Sequence, residues 1–352
     1  MKKREAVLSL LLFLLIAFPA LSQNTASQNK AAQKPADAKI ANAKTTDAKN
    51  ADAKAGPDFF LLPVLETVFS GELRWRPDWP ADIPPDGFSV KRQFQLIELY
   101  NDDINLTVRR GREGRLVEFP FFTEDGYAKV QVQYASFNGA LQKMTVSLFQ
   151  GDDAKVWDIT FPADFLPYSD FSPGGSFAPL KVTCDEDIYH VFIFESPAFL
   201  TETWYNDEGE MLVFCKASVN IIEKKWRVRS LQIYMGEDIS FEDYFFDSYG
   251  NVSEVRSEDK TFSALLRDNR PSYWQCPDLS YEFNWDTQGI LTIVKASGET
   301  DDASVEYRYE YETDASGSWV KRQETALSGS NLIVPTPSLS RGIWNRRITY
   351  GD

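Results

Sequence analysis

Four times between residues 206 and 317 an Asn or Asp stands three positions ahead of a Gly: Asn206-Asp-Glu-Gly209, Asp247-Ser-Tyr-Gly250, Asp286-Thr-Gln-Gly289 and Asp314-Ala-Ser-Gly317. A short acceptor side chain at the first place and a residue free to take positive φ at the fourth are what a type I turn needs to close a three-residue hairpin loop. A chain punctuated in this way folds back on itself as antiparallel strands. The flanking residues give the register to expect. The first turn pairs Tyr205 with Met211 and Trp204 with Leu212, and the third pairs Trp285 with Leu291 and Phe283 with Ile293. In the second, Phe246 meets Val252, but Tyr244 meets Glu254, a partial fit. The fourth pairs Glu310 with Arg322 and Arg308 with Glu324 on one face, opposite charges across the strands, and carries Tyr307, Tyr309 and Tyr311 on the other.

Period-two alternation recurs from Phe59 onward, and no amphipathic helix of convincing length interrupts it. The cleanest strand is Ala128-Lys-Val130-Gln-Val132-Gln-Tyr134, followed after Asn138-Gly139 by Met144, Val146 and Leu148 on one face. A two-residue turn at Asn-Gly would send the two apolar sets to opposite faces. An odd-length loop or a bulge is therefore expected, pairing Tyr134 with Met144, Val132 with Val146 and Val130 with Leu148. The fold class that follows is all-β, with antiparallel hairpins forming one or two packed sheets.

The segment from Tyr309 to Arg322, with the other three turns, resembles the tyrosine-aspartate hairpin repeats of bacterial exported and cell-surface proteins, the RHS type. Where that family has Tyr-Asp before the turn, this chain has Thr313-Asp314, Trp285-Asp286 and Phe246-Asp247. The resemblance covers residues 201–325 at most. It implies antiparallel β structure and placement at the envelope or surface, and no catalytic residue, because those repeats are structural.

Ahead of the strands lies a different kind of sequence. Lys2-Lys3-Arg4, an apolar run from Ala6 to Phe18 and the small-residue site Ala20-Leu21-Ser22 are the parts of a secretory signal, with cleavage expected after Ser22. Even Ala6 to Leu21 gives 16 residues where a spanning helix needs about 20, and Pro19 interrupts it. Residues 23–56 carry Asp37-Ala-Lys, Asn42-Ala-Lys, Asp47-Ala-Lys and Asp52-Ala-Lys at a five-residue period, which winds around a helix and leaves no apolar stripe. That segment reads as a solvated tether. The organisation expected is a signal peptide at 1–22, a tether at 23–56, an N-terminal β region at 57–200 and a C-terminal hairpin region at 201–352. The exported chain is expected in the periplasm or at the cell surface, not spanning the membrane once the signal is removed.

A net charge of −15 opposes the basic surface that nucleic acid requires, and equally opposes docking on anionic lipid. Three cysteines, Cys184, Cys215 and Cys276, form no disulfide framework and fit no zinc spacing, and buried free thiols are the expectation. The single histidine, His190, alternates with Ile188, Phe192 and Phe194 and reads as a core or edge residue, which sets aside histidine triads and multi-histidine metal sites. Phosphate-loop and dinucleotide fingerprints are missing, and no cofactor or metal site is expected. Carboxylates cluster at Asp185, Glu186 and Asp187, at Asp152-Asp153 and at Asp301-Asp302, all in polar stretches between strands.

Nine tryptophans are numerous for a β protein, and Trp75-Arg-Pro-Asp-Trp79 sits in a proline-rich stretch ending at Pro84-Pro85. Two roles fit these aromatics. They can form the core and its rim, or they can line a sheet face that stacks on sugar rings or anchors a protein. As a binding surface the candidates are Trp75, Trp79, Tyr307, Tyr309 and Tyr311. The sequence reads as a non-catalytic exported envelope or cell-surface protein that binds or scaffolds a partner protein or a glycan. The alternative is a secreted carboxylate-dependent glycoside hydrolase, which requires two acidic side chains converging in a cleft.

Overall fold

The computed structural model describes residues 59–351 except 81–82, 91, 112, 124–125, 137–138, 151–152, 163–164, 166–178, 196–198, 223–224, 236–237, 258–259, 299–303 and 330–342. The signal and tether readings fall outside the described residues. One helix, α1 (Leu61–Ser70), precedes twenty strands. These are β1 (Phe94–Tyr100), β2 (Asn105–Arg110), β3 (Leu116–Thr123), β4 (Gly126–Tyr134), β5 (Leu141–Gln150), β6 (Asp153–Thr160), β7 (Leu180–Cys184), β8 (Asp187–Glu195), β9 (Phe199–Asn206) and β10 (Met211–Ile222). The remainder are β11 (Lys225–Met235), β12 (Asp238–Phe246), β13 (Val252–Arg256), β14 (Thr261–Arg267), β15 (Arg270–Gln275), β16 (Ser280–Trp285), β17 (Leu291–Ser297), β18 (Ser304–Thr313), β19 (Trp319–Gly329) and β20 (Ile343–Tyr350).

Every strand pairs antiparallel with its sequence neighbours, and β20 pairs with both β19 and β1. The hairpins therefore close into a single antiparallel barrel, one sheet rather than two packed ones. Pairing runs unbroken from β8 through β10, across residue 200. Alternation puts apolar residues inside: along β4, Ala128, Val130 and Val132 are buried while Gln131 and Gln133 are exposed.

The four Asn/Asp-x-x-Gly turns share one geometry. In each the Gly N–H donates to the carbonyl of the first residue at 3.0–3.1 Å, and the glycines sit at φ 76–83°. Each first residue also accepts from the N–H four places on through its side chain, as Asp286 Oδ1 does from Gln288 at 2.8 Å and Ile290 at 2.8 Å. The pair next to each turn forms as expected: Tyr205 with Met211, Phe246 with Val252 and Trp285 with Leu291. One residue further on, all four hairpins carry a bulge. Trp204 then meets Val213, Tyr244 meets Val255, and Phe283 meets Val294. The bulge removes the misfit of Tyr244 against Glu254 by turning a valine inward. Serine or threonine at the bulge satisfies the displaced carbonyl, as Thr292 Oγ1 does for Asn284 at 2.9 Å.

The same shift corrects the expected charge ladder. Glu310 lies opposite Gln323 and Arg308 opposite Thr325, while Arg322 falls opposite Tyr311 and Glu324 opposite Tyr309. Arg322 is thereby carried to the tyrosine face, where its guanidinium lies 4.7 Å from the Tyr309 ring. Between β4 and β5 the expected irregularity is present at Tyr134, and Val130, Val132, Val146 and Met144 share the buried face. Its register differs by two residues: Val132 pairs with Met144 and Val130 with Val146. A two-residue slip conserves the face, so hydrophobic parity alone does not separate the two.

The interior is filled by residues 59–90. α1 was not expected from the sequence: Leu61, Val64, Leu65 and Val68 do follow the i, i+3, i+4, i+7 spacing of a helical stripe, but the run is only 10 residues long. Pro63 falls in the first turn, where its missing N–H breaks no helical bond. Gly71 ends the helix at φ 66°, its N–H donating to the Thr67 carbonyl at 3.0 Å. Beyond it the segment meets the ring at successive stations: Arg74 donates to Asn251 Oδ1 at 2.9 Å, Pro77 accepts from Trp274 Nε1 at 2.8 Å, and Asp86 accepts from Trp319 Nε1 at 3.0 Å.

Candidate binding surface

The aromatics singled out from the sequence belong to this interior. Trp75, Trp79, Tyr307 and Tyr309 are buried, and Tyr311 is half-buried with its ring 6.1 Å from Trp319. Trp75 packs edge-on against Trp274 at 5.7 Å, and Trp79 lies 4.5 Å from Phe122. Burial raises the hydroxyl pKa of Tyr309 and Tyr311. These five side chains serve the core, and none offers an open ring face for stacking.

An exposed aromatic band does exist, on the outside of β8 to β12. Registers place Phe192 opposite Thr203, Thr203 opposite Phe214, Phe214 opposite Tyr234, and Tyr234 opposite Ile239, a single row across five strands. At the usual strand spacing the row is about 19 Å long. Tyr205 and Met211 flank it on one side and Phe241 on the other. Ile239 is 58% exposed, Met211 54%, Phe241 42% and Phe192 41%, high values for such side chains. The rings also touch one another: Phe192 meets Tyr205 edge-on at 5.5 Å, and Phe214 lies 5.5 Å from Tyr234.

The band draws on strands that carry apolar residues on both faces, β8 foremost. In β8, Tyr189, Val191 and Ile193 are buried, while Phe192 is exposed between them. β4 and β18 present polar residues outward, Gln131 and Gln133 on the first and Arg308, Glu310 and Glu312 on the second, while β6, β14, β19 and β20 also expose Val156, Leu265, Leu327 and Ile343. His190 accordingly lies on the outer face, with Nε2 3.6 Å from Asp207 Oδ1, rather than in the core. Lys216 borders the band, its Nζ 4.9 Å from the Phe199 ring.

Among the described residues three carboxylates line one cavity, those of Glu66, Glu72 and Asp78, and each is held by an arginine. Asp185 and Glu186 form an exposed two-residue turn between Cys184 and Asp187, with Asp185 at φ 53°. Asp152, Asp301 and Asp302 lie outside the described residues. Glu66 lies 3.5 Å from Arg227 and accepts the Val228 N–H at 3.1 Å. Asp78 accepts from Arg76 at 2.6 and 2.9 Å, and Arg76 stands 4.7 Å from the Tyr244 ring. The cavity these groups line measures about 70 Å³. That suffices for a few waters and falls well short of the roughly 300 Å³ of the smallest ordinary ligand pockets.

No group of three or more metal-ligating side chains occurs among the described residues. Cys184, Cys215 and Cys276 are free thiols, and burial pushes the Cys276 pKa up to about 12. No helix of the described residues is long and apolar enough to cross a membrane.

No protein-family model matches the sequence, and no curated protein is similar to it. Among solved structures, a porin-like protein from Bacteroides uniformis is similar over 72% of this chain and 97% of its own, at 11% identity and a TM-score of 0.30. A porin-like protein from Bacteroides vulgatus is similar over 74% of this chain and 99% of its own, at 9% identity and 0.25. A TcdB2-TccC3-Cdc42 structure matches 64% of this chain and 14% of its own, at 11% identity and 0.21.

Proposed function

We propose that this chain is a non-catalytic exported envelope protein whose barrel displays the β8 to β12 band to a protein partner. The observation that carries the reading is one row of Phe192, Phe214, Tyr234 and Ile239 continuous across the pairing of β8 to β12, with Met211 and Phe241 exposed beside it. Aromatic residues gathered in one rimmed patch are the composition of an interface core. Ile239 and Met211 favour a protein over a sugar, which stacks on rings but gains little from aliphatic side chains. A basic start, short apolar run and small-residue site at the amino terminus support export. The outward Gln131, Gln133, Glu310 and Glu312 speak against a lipid-embedded wall, where strands carry apolar residues outward and polar ones within.

The test is site-specific photo-crosslinking in envelope extracts, with the label at Phe214 or at Gln131 on the polar face. The expected result is one discrete protein adduct from position 214, absent from position 131, and abolished when Phe192 and Tyr234 are both changed to Ala with thermal stability retained. Equal adducts from both positions, or none from either, would overturn the reading. Glycan capture lost in the same double variant would replace the protein partner with a sugar. Polysaccharide hydrolysis abolished by one carboxylate-to-amide change would restore the hydrolase alternative.

A further inference from the structure

A second feature lies away from the band, where Phe88 to Val90 and Arg92 to Phe94 border the β2–β3 hairpin. Phe88, Arg92, Gln93, Phe94, Arg110 and Gly114 line an open notch of about 460 Å³ there, within the size range of small-molecule sites. Arg110 is fixed in it from one side. Its Nη1 donates to the carbonyls of Gly71 at 3.0 Å and Gly114 at 2.7 Å, which uses both hydrogens of that nitrogen. Its guanidinium carbon stands 5.0 Å from the centre of the Phe94 ring. The Nε–H and Nη2 hydrogens carry no hydrogen bond to the described residues.

That free edge is the fork that grips carboxylate or phosphate with two parallel hydrogen bonds. Nearby arginines have acidic partners: Arg74 with Glu72 at 2.8 Å, Arg109 with Glu118 at 3.9 Å, and Arg115 with Glu113 at 3.1 Å. Arg110 has no ion-pair partner among the described residues, although the chain carries a net charge of −15. Partial burial lowers its pKa, with Glu72 acting weakly in the other direction, so its cation is held at an electrostatic cost that a bound anion would offset. Arg92 is exposed, lines the same notch and makes no ion pair among the described residues.

We propose that this notch binds a small oxyanion-bearing ligand, with the Nε–Nη2 edge of Arg110 taking a carboxylate or phosphate group, Arg92 adding charge, and Phe88 and Phe94 forming the apolar wall. A purely structural role for Arg110, holding the Gly71 and Gly114 carbonyls, predicts no such binding. The two are separated by calorimetric titration of the mature protein with inorganic phosphate, glucose 1-phosphate, glucuronate and, as the neutral control, glucose. The expected result is saturable binding of a phosphate or carboxylate probe, with glucose inert. Whichever of glucose 1-phosphate and glucuronate binds more tightly identifies the oxyanion.

Arg110→Lys keeps a charge and donors for the two carbonyls but lacks the fork. Its binding should weaken at least 10-fold with the melting temperature held within a few degrees. Arg92→Gln, on the surface, should weaken binding about 3-fold and tests the site even where Arg110→Lys fails to fold. No saturation by any probe, glucose binding as tightly as glucuronate, or full affinity in both variants would each overturn the proposal.

Discussion

The carboxylate of Glu202, on β9, accepts the backbone N–H of Leu61 at 2.8 Å and that of Leu62 at 2.9 Å, groups that lie 141 and 140 positions away in sequence. No side chain of its own caps α1, so the helix borrows its cap from the barrel wall. Trp204 Nε1 donates to the same carboxylate at 2.6 Å, inside a cluster where Trp204 lies 5.9 Å from Trp157 and 6.2 Å from Phe59. Three hydrogen bonds and the positive end of the helix favour the charged form, yet burial prevails and pushes the Glu202 pKa up to about 7.

A raised carboxyl pKa makes the barrel less stable as pH rises. Between about 4.5 and 7 the folded state holds a proton on Glu202 that the unfolded chain has released. The contribution is largest below pH 4.5 and is lost as pH climbs through 7, a difference of about 3 kcal/mol at full span. Burial raises the pKa of Glu66 as well, and its contribution has the same sign. Urea unfolding at pH 5 and pH 8 should show lower stability at pH 8, and Glu202→Gln should flatten most of that slope. A variant with an unchanged slope would contradict the assignment.

Asp86 should be the costliest single carboxylate to remove. It receives Trp319 Nε1 at 3.0 Å and lies 3.8 Å from Arg322, which is almost wholly buried. Arg346 holds the same loop through the carbonyls of Asp86, Gly87 and Ser89 at 3.2, 3.2 and 2.8 Å. Asp86→Ala takes one of two carboxylates, with Glu324 the other, from the buried Arg322 cation and the acceptor from Trp319, and is expected to cost about 3 kcal/mol in chemical denaturation. Arg92→Gln, on the surface, serves as the control with a change below about 0.5 kcal/mol.

Two of the like turns should respond differently to loss of their aspartate. Asp286 accepts only the Gln288 and Ile290 N–H groups at an exposed tip. Asp314 accepts from Ser316 and Ser318 and, through Oδ2, from the Tyr350 hydroxyl at 2.6 Å, joining the β18–β19 turn to β20. These donors hold the Asp314 pKa down to about 2 against the effect of burial. Its contribution is therefore present at neutral pH and lost as pH falls through about 2. Asp286→Ala is expected to cost about 1 kcal/mol and Asp314→Ala about 2 kcal/mol, measured at pH 7.

Turn chemistry is the most local information in a sequence, and here it was legible: all four turns form, and the pair beside each is as read for the first three. The bulges were not, because they satisfy the core rather than the turn. The misfit of Tyr244 against Glu254 was their one visible trace, and it resolves when Ser253 is left over. α1 carries a helical stripe at Leu61, Val64, Leu65 and Val68, but at 10 residues it is too short for periodicity to stand out from the strands that follow. For Trp75 and Trp79 the sequence left two roles open, core or binding surface, and the ring of strands wraps that segment as its core. The band on β8 to β12 was hidden for a related reason. A strand such as β8, apolar on both faces, offers no alternation from which to tell inside from outside, so the sequence left His190 as core or edge, and it faces out with Phe192.

The glycines of the turns offer a final test, because identical backbone geometry sits in different surroundings. Gly209 at φ 83° and Gly289 at φ 78° share the left-handed conformation, which costs an L-residue roughly 1 to 2 kcal/mol. A Cβ on Gly209 would have nothing within 4 Å, so Gly209→Ala should lose only that amount. A Cβ on Gly289 would fall 2.1 Å from Arg270 Nη1, forcing off a guanidinium that lies 5.6 Å from the Trp285 ring. Trp285 in turn donates to the Pro271 carbonyl at 2.7 Å, so the disturbance reaches the β15–β16 pairing. Gly289→Ala should therefore cost about 1 kcal/mol more than Gly209→Ala, the value of a cation–π contact partly shielded from water. Equal losses in paired urea titrations would mean that Arg270 swings clear at no cost and that its stacking on Trp285 adds nothing to stability.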